Sequence, residues 1–231
     1  MFDYTYIILV LPAIILAMIA SAGVKSTFNK YSKRRNSRGI SGAEAARRVL
    51  DANGLQNVRV NKVSGELTDH FDPRTNVVNL SDSTYSSTST AAVGVACHEV
   101  GHAIQHAVGY APIKIRMAII PLTNFGAGIS VPLIIAGVIL ASLSHVFLIV
   151  AYVGVALFAL STLFQLVTLP VEINASRRAL ATIDEYGILD RNELVDAKKV
   201  LTAAAMTYVA ALAVSLSQLL YFIMLVSGRR D

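Results

Sequence analysis

Between Met117 and Val171 the chain carries no Asp, Glu, Lys or Arg, an uncharged run of roughly 55 residues. A bilayer's hydrocarbon core is crossed by about 20 apolar residues in a helix, so this run holds two spans and a tight turn. The turn is expected near Ser142-Leu143-Ser144-His145, and such a hairpin leaves and returns on one side of the membrane. Pro121 and Pro132 are tolerated inside membrane helices. Two further uncharged runs, Tyr4 to Val24 and Val200 to Gly228, are each long enough to cross once. Pro12 is placed to kink the first. Composition agrees: 54% hydrophobic and 15% charged residues, with mean hydropathy +0.56, are too apolar for an ordinary soluble domain.

The charges that remain set a topology. Lys25, Lys30, Lys33, Arg34, Arg35 and Arg38 directly follow the first span, and by the positive-inside rule that side is cytoplasmic. The start, MFDY, has no Lys or Arg and no A-x-A site follows, so the first span reads as uncleaved, with the N-terminus outside. The GRRD tail then lies outside too, against the bias of Arg229 and Arg230 but with the far larger cytoplasmic excess. The net charge of +5 is thus a matter of topology, and the chain offers no nucleic-acid motif. Cys97, the single cysteine, excludes an intramolecular disulfide framework and reads as a small buried hydrophobe. No internal repeat stands out.

The expected organisation is a span over 4–24, a polar segment over 25–116, a membrane hairpin over 117–171, a helix and connector over 172–199 and a last span over 200–228. In the polar segment, Ser41 to Leu50 is a helix with Ser41 as N-cap and Glu44 closing a capping box, ended by Asn53-Gly54. Val58 to Val63 alternates as a short strand, and Glu66 to Phe71 and Asn76 to Leu80 form a hairpin around Asp72-Pro73-Arg74-Thr75. Ser81 to Thr90 is a polar linker. The fold class is a mainly α integral membrane protein with about four transmembrane helices and a small α+β domain.

The chemistry lies in ACHEVGHAIQHA, Ala96 to Ala107. On a helix, residues four apart share a face, so His98 and His102 present two imidazoles to one point with Glu99 beside them. That is the arrangement of a zinc hydrolase helix, in which two histidines bind metal and the glutamate takes a proton from water. The plain alternative is a pair of core histidines bonded to neighbours. A catalytic zinc needs a third protein ligand, and Glu172 is placed for it, since the hairpin returns it to the side it left. Ser176, four residues on, shares its face and could orient a histidine. From spacing alone a helix-initiating Glu favoured by the dipole accounts for Glu172 equally well.

HEVGHAIQ, preceded by LTDHFDPR and NLS and followed after the hairpin by PVEINASRRAL, resembles the YugP-like family of neutral zinc metallopeptidases of bacterial membranes. The resemblance spans nearly the whole chain, including SGAEAARRVLDANGL. More distantly the chain is similar to HtpX-type and CAAX-processing membrane proteases, which carry HExxH and a later E-x-x-A-D. The resemblance implies Zn2+ as cofactor, a zincin-like (gluzincin) domain on the cytoplasmic face of the bacterial inner membrane, and Glu172 as third ligand. It also implies hydrolysis of peptide bonds in membrane or membrane-proximal proteins. Ser176 stands where Asp is usual, which bears on the strength of that hydrogen bond and not on the ligand.

Other residues near the motif carry two readings each. His106 lies eight residues after His98, about 12 Å along the axis, which suits a structural or supporting role better than ligation. His70 falls on an edge strand of the kind that pairs with substrate backbone in related proteases; it could help stabilise an oxyanion or cap the Asp72-Pro73 turn. Arg177 and Arg178 could assist substrate or contact lipid headgroups. The runner-up activity is an intramembrane, site-2-type protease, with Ala91 to Ile113 as a span and Asp190 as ligand. The cost of His98, Glu99, His102, Gln105 and His106 in lipid opposes it. A non-catalytic zinc scaffold is the reading from another class; a closed structural site would want four ligands, usually with cysteine.

The topology is open to direct test. Cysteines placed at Ser37 and Asn192 in a Cys97→Ser background should resist a membrane-impermeant maleimide added to intact cells and react after lysis. External labelling at either position would overturn the arrangement.

Overall fold

In lipid every backbone polar group must be satisfied within the segment, so uncharged runs of this length become helices. The structure, a computed structural model, describes residues 4–228. Four helical segments in it are long and apolar enough to cross a membrane. The first is α1, Tyr4–Leu9, followed by α2, Leu11–Tyr31. The interruption falls at Val10, two residues before Pro12, whose missing N–H cannot serve the preceding turn. Hydrogen bonds still pass through it, from Val10 N–H to the Tyr6 carbonyl (2.8 Å) and from Ile14 N–H to the Val10 carbonyl (3.1 Å). The GRRD tail and the extreme N-terminus involve residues 1–3 and 229–231, which lie outside the described residues.

The chain divides into two compact units. The described part of the first comprises residues 4–19, 114–169 and 207–228. It is built from α1 and from parts of α2, α6 (Ala111–Leu140), α7 (Phe147–Glu185) and α8 (Arg191–Ser227). The turn between α6 and α7 occupies residues 141–146, where it was expected. The two helices touch at Gly154, where a β-carbon would lie 2.7 Å from the Ser130 carbonyl oxygen; only a glycine lets the backbones come so close. Ile134, Val138, Leu148, Ala151 and Val226 form the core of this unit, and the Thr162 and Ser215 hydroxyls pair at 2.7 Å.

The second unit comprises residues 20–113 and 170–206. Its first helix, α3 (Gly42–Ala52), starts as the sequence indicates. The Ser41 side chain accepts from Glu44 N–H (3.3 Å) and the Glu44 carboxylate accepts from Ser41 N–H (2.8 Å), with Asn53 as C-cap. Strands β1 (Arg59–Val63), β2 (His70–Asp72) and β3 (Val77–Ser81) form one sheet in the order β1-β3-β2. β3 is central and buried; β2 pairs with it antiparallel, His70 opposite Asn79, and β1 pairs with it parallel. Then come α4 (Asp82–Tyr85) and α5 (Thr90–Ala107), the latter capped by the Ser89 side chain accepting from Ala92 N–H at 3.1 Å. Val49, Leu50, Leu80, Val93, Val100 and Ile183 are buried in the common core.

Three local expectations are corrected. The hairpin strand is shorter than Glu66 to Phe71, because Gly65 (φ 110°) and Leu67 (φ 56°) take left-handed backbone that cannot continue a strand. The polar linker contains the short helix α4. Most consequentially, Glu172 begins no helix. α7 runs without a break through Pro170 to Glu185, and α8 likewise runs through Lys199-Val200. At 1.5 Å per residue these helices are about 58 and 55 Å long, well beyond a hydrocarbon core of about 30 Å. Their surplus length supplies residues 170–185 and 191–206 to the second unit.

α5 and α7 meet at Gly101 and Ala175. A β-carbon on Gly101 would lie 2.5 Å from the Ala175 carbonyl oxygen and 3.1 Å from its Cα. Gly101→Ala should therefore force the helices apart and cost ~1–3 kcal/mol of stability. In thermal unfolding of the detergent-solubilised protein it should lower Tm, whereas Gly23→Ala, whose β-carbon meets nothing within 4 Å, should not.

Candidate metal centre

The close approach at Gly101 sets two turns of α5 against two turns of α7. His98 and His102 face Glu172, their Nε2 atoms lying 3.2 and 3.4 Å from the same carboxylate oxygen. The two imidazoles stand edge to face, with ring centroids 4.8 Å apart. One ligand atom from each of the three residues lies within 4.8 Å of the others, the group among the described residues able to hold a metal ion. The Glu172 side chain is only 3% exposed, and those of His98 and His102 are 14% and 12% exposed. The site is thus closed on the protein side and reachable past the imidazoles.

The far nitrogen of each ring is tethered. His98 Nδ1 lies 3.1 Å from the Ser176 hydroxyl, and His102 Nδ1 lies 3.1 Å from Gln105 Oε1. Gln105 is fully buried, and its amide nitrogen, Nε2, donates to the Val171 carbonyl (2.8 Å) and to Asn174 Oδ1 (3.0 Å). With both amide hydrogens used, Gln105 can only accept through Oε1, so His102 Nδ1 carries the proton and its Nε2 is left with a free lone pair. Asn174 Oδ1 also accepts from Arg178 Nε at 2.9 Å, which carries the chain of orientation out to a half-buried guanidinium.

Charge in the site is negative. Burial by itself lowers the basicity of His102, but a hydrogen bond from the protonated ring to Glu172 and the charges of Glu99 and Glu172 outweigh it and hold the imidazole above its ordinary value. A field that holds a proton there also favours a cation. Glu99 is half-buried, and its carboxylate accepts from the backbone N–H of Phe71 on β2 at 3.1 Å. The edge strand is thereby joined to the helix. Cys97, beside His98, is fully buried, and burial pushes its thiol up to about 12, so it is an inert hydrophobe.

The other residues singled out are elsewhere. His70 is on edge strand β2, but its ring does not cap the Asp72 turn; Nδ1 donates to the Thr68 carbonyl (2.8 Å) and Nε2 accepts from Asn79 (3.1 Å). Asp72 caps its own turn, accepting from Arg74 N–H and the Thr75 hydroxyl. His106 is exposed, its ring 5.9 Å from that of Phe71. Arg177 is exposed, and it is Arg178 that reaches the network. Asp69 is bound by Ser81, Asp82 by Lys62 and the Gly65 N–H, and Asp190 accepts from the Ser37 hydroxyl with Arg38 at 3.9 Å. Gln105 and Asn174 were not picked out from sequence. For Gln105 the signal was there: three residues after His102, it shares that residue's helical face.

Comparison with known proteins shows the family. The family described as "Putative neutral zinc metallopeptidase" matches residues 6–227. The chain is 47% identical over 226 residues to "Putative membrane protease YugP" of Bacillus subtilis (strain 168), covering 98% of each chain. No solved structure matches. With four apolar helices and a His98, His102 and Glu172 set suited to Zn2+, this integral membrane protein belongs to that neutral zinc metallopeptidase family.

Proposed function

We propose that the protein is a zinc-dependent endopeptidase. In this reading it cleaves membrane or membrane-proximal proteins at the cytoplasmic face of the bacterial inner membrane. The observation that carries it is the convergence of His98 Nε2, His102 Nε2 and one Glu172 oxygen, with Glu99 as their neighbour on α5. Two imidazole nitrogens and one carboxylate oxygen are donors that suit Zn2+, and a set of three leaves a position for water. Zn2+ in such a set supplies Lewis acidity and makes water acidic enough to react near neutral pH.

The chain's own residues do the rest. Gln105 holds His102 in the tautomer that presents Nε2, and Ser176 anchors the far side of the His98 ring. Glu99 accepts the proton of the attacking water and returns it to the leaving amine. Strand β2, an edge of the three-stranded sheet, offers an extended peptide a place alongside α5. The basic residues after the first span support the cytoplasmic assignment. Asp190, the ligand that the intramembrane alternative requires, is engaged at the start of α8 with Ser37 and Arg38, which favours the surface reading.

Two experiments test this. Glu99→Gln should keep its zinc and lose peptide hydrolysis by at least about a hundredfold, the scale of general-base catalysis; zinc content and casein cleavage are measured on one preparation. Cleavage at the wild-type rate would refute the assigned base. Glu172→Ala should lose both zinc and activity. Ser176→Ala should weaken zinc binding by roughly 10–100-fold in competition with a chelator, and His106→Ala should leave it unchanged.

A further inference from the structure

In the second unit, α2 and α8 enclose a groove of about 640 Å³ that the peptidase chemistry does not use. From α2 it is lined by Thr27, Lys30 and Tyr31, at i, i+3 and i+4. From α8 it takes Val195, then Lys198, Lys199 and Thr202, and then Ala203 and Met206, all on one helical face. The cations gather around the ring of Tyr31. Lys30 Nζ is 5.5 Å from its centroid, Lys199 Nζ 5.8 Å, and the Arg34 guanidinium carbon 5.5 Å. Asp196, the nearby acid on α8, is already held by Arg34 at 2.8 Å. Among the described residues, none of Lys30, Lys198 and Lys199 has a carboxylate within 4.0 Å.

Three ammonium groups without a carboxylate partner line one groove, and an anion among them relieves their mutual repulsion. The groove also changes character along its length. Toward the lysines it is charged, with the Thr27 and Thr202 hydroxyls beside them; toward Ala203 and Met206 it follows α8 into the run that stays uncharged from Val200 to Gly228. α2 does the same in reverse, being uncharged from Leu11 to Val24. A ligand that matches has an anionic head and an apolar tail. Basic pockets between membrane helices are where anionic lipid headgroups dock. We propose that this groove binds one anionic phospholipid, its phosphate held by Lys30, Lys198 and Lys199 and an acyl chain following Ala203 and Met206.

The test is native mass spectrometry of the full-length protein in detergent, titrated with phosphatidylglycerol or phosphatidylcholine. Wild type should retain one phosphatidylglycerol with at least about a tenfold preference over phosphatidylcholine. Lys30→Gln/Lys198→Gln/Lys199→Gln should weaken retention roughly a hundredfold, whereas the charge-matched control Lys33→Gln/Arg59→Gln/Arg74→Gln should retain it. Ala203→Trp keeps every charge but fills the apolar end, and should also lose the lipid; an unchanged thermal transition in each variant shows that it has folded. Equal binding of phosphatidylcholine, equal loss in the control triple, or undiminished retention by Ala203→Trp would overturn the proposal. Displacement of the lipid by millimolar inorganic phosphate would do so as well, by showing a simple anion site.

Discussion

The contact of Gly101 with Ala175 is the constraint on which the site depends. A histidine pair on one helix and a carboxylate on another can share a metal only if the two backbones come unusually close. Glycine inside a helix costs about 1 kcal/mol relative to alanine, and here that cost is offset by an approach no other residue permits. The surrounding residues are equally small: Gly94 lies against Ala197, and Ala96, Cys97, Ala175 and Ala179 are all buried. The core beneath the site is therefore built from short side chains and tight helix packing, with the larger Val49, Leu50, Leu80 and Ile183 filling in behind.

Polar groups in that core are tolerated because they are satisfied. Gln105 places a full amide at zero exposure, a position that would be destabilising by about 1–3 kcal/mol if unpaired. Both its amide hydrogens and its oxygen are used, by Val171, Asn174 and His102. Two of those partners are on α7, so the same side chain that orients a histidine also ties the two helices together. Ser176 does this from the opposite direction, reaching from α7 to His98 on α5. Its hydroxyl adds no further negative charge beside Glu172.

What could be read in advance was what local chemistry decides. The capping box of Ser41 and Glu44, the α6–α7 turn, the Asp72 turn and the shared face of His98 and His102 each rest on residues within four positions of one another, and each has its expected form. The misreadings came where distant contacts override local signals. Pro170 and a sudden run of charge at Glu172 read as a helix boundary, yet α7 continues, because the residues beyond Pro170 have α5 to pack against. Leu67 in left-handed backbone shortened β2, and nothing in its own residue type announces that. The parallel pairing of β1 with β3 is a long-range outcome that alternation alone does not specify. Gln105 was legible by spacing, but its partners Val171 and Asn174 became visible only once α7 was known to run through.

The continuity of α7 is what makes one set of residues serve four purposes. Each residue turns a helix by about 100°, so a break or slip of one position would carry Glu172 away from the histidines. With the helix intact, Glu172, Ala175, Ser176, Ala179 and Ile183 fall at i, i+3, i+4, i+7 and i+11 and make one stripe. α5 presents a matching stripe: Gly94, Cys97, His98, Gly101, His102 and Gln105. Along these two lines a carboxylate meets two imidazoles, a glycine meets an alanine and a hydroxyl meets a ring nitrogen, and beside them the Gln105 amide meets the Val171 carbonyl. The rotation of α7 that packs the core is the rotation that aims Glu172. The site's geometry is thus inherited from helix packing, with no loop needed to bring the third residue home.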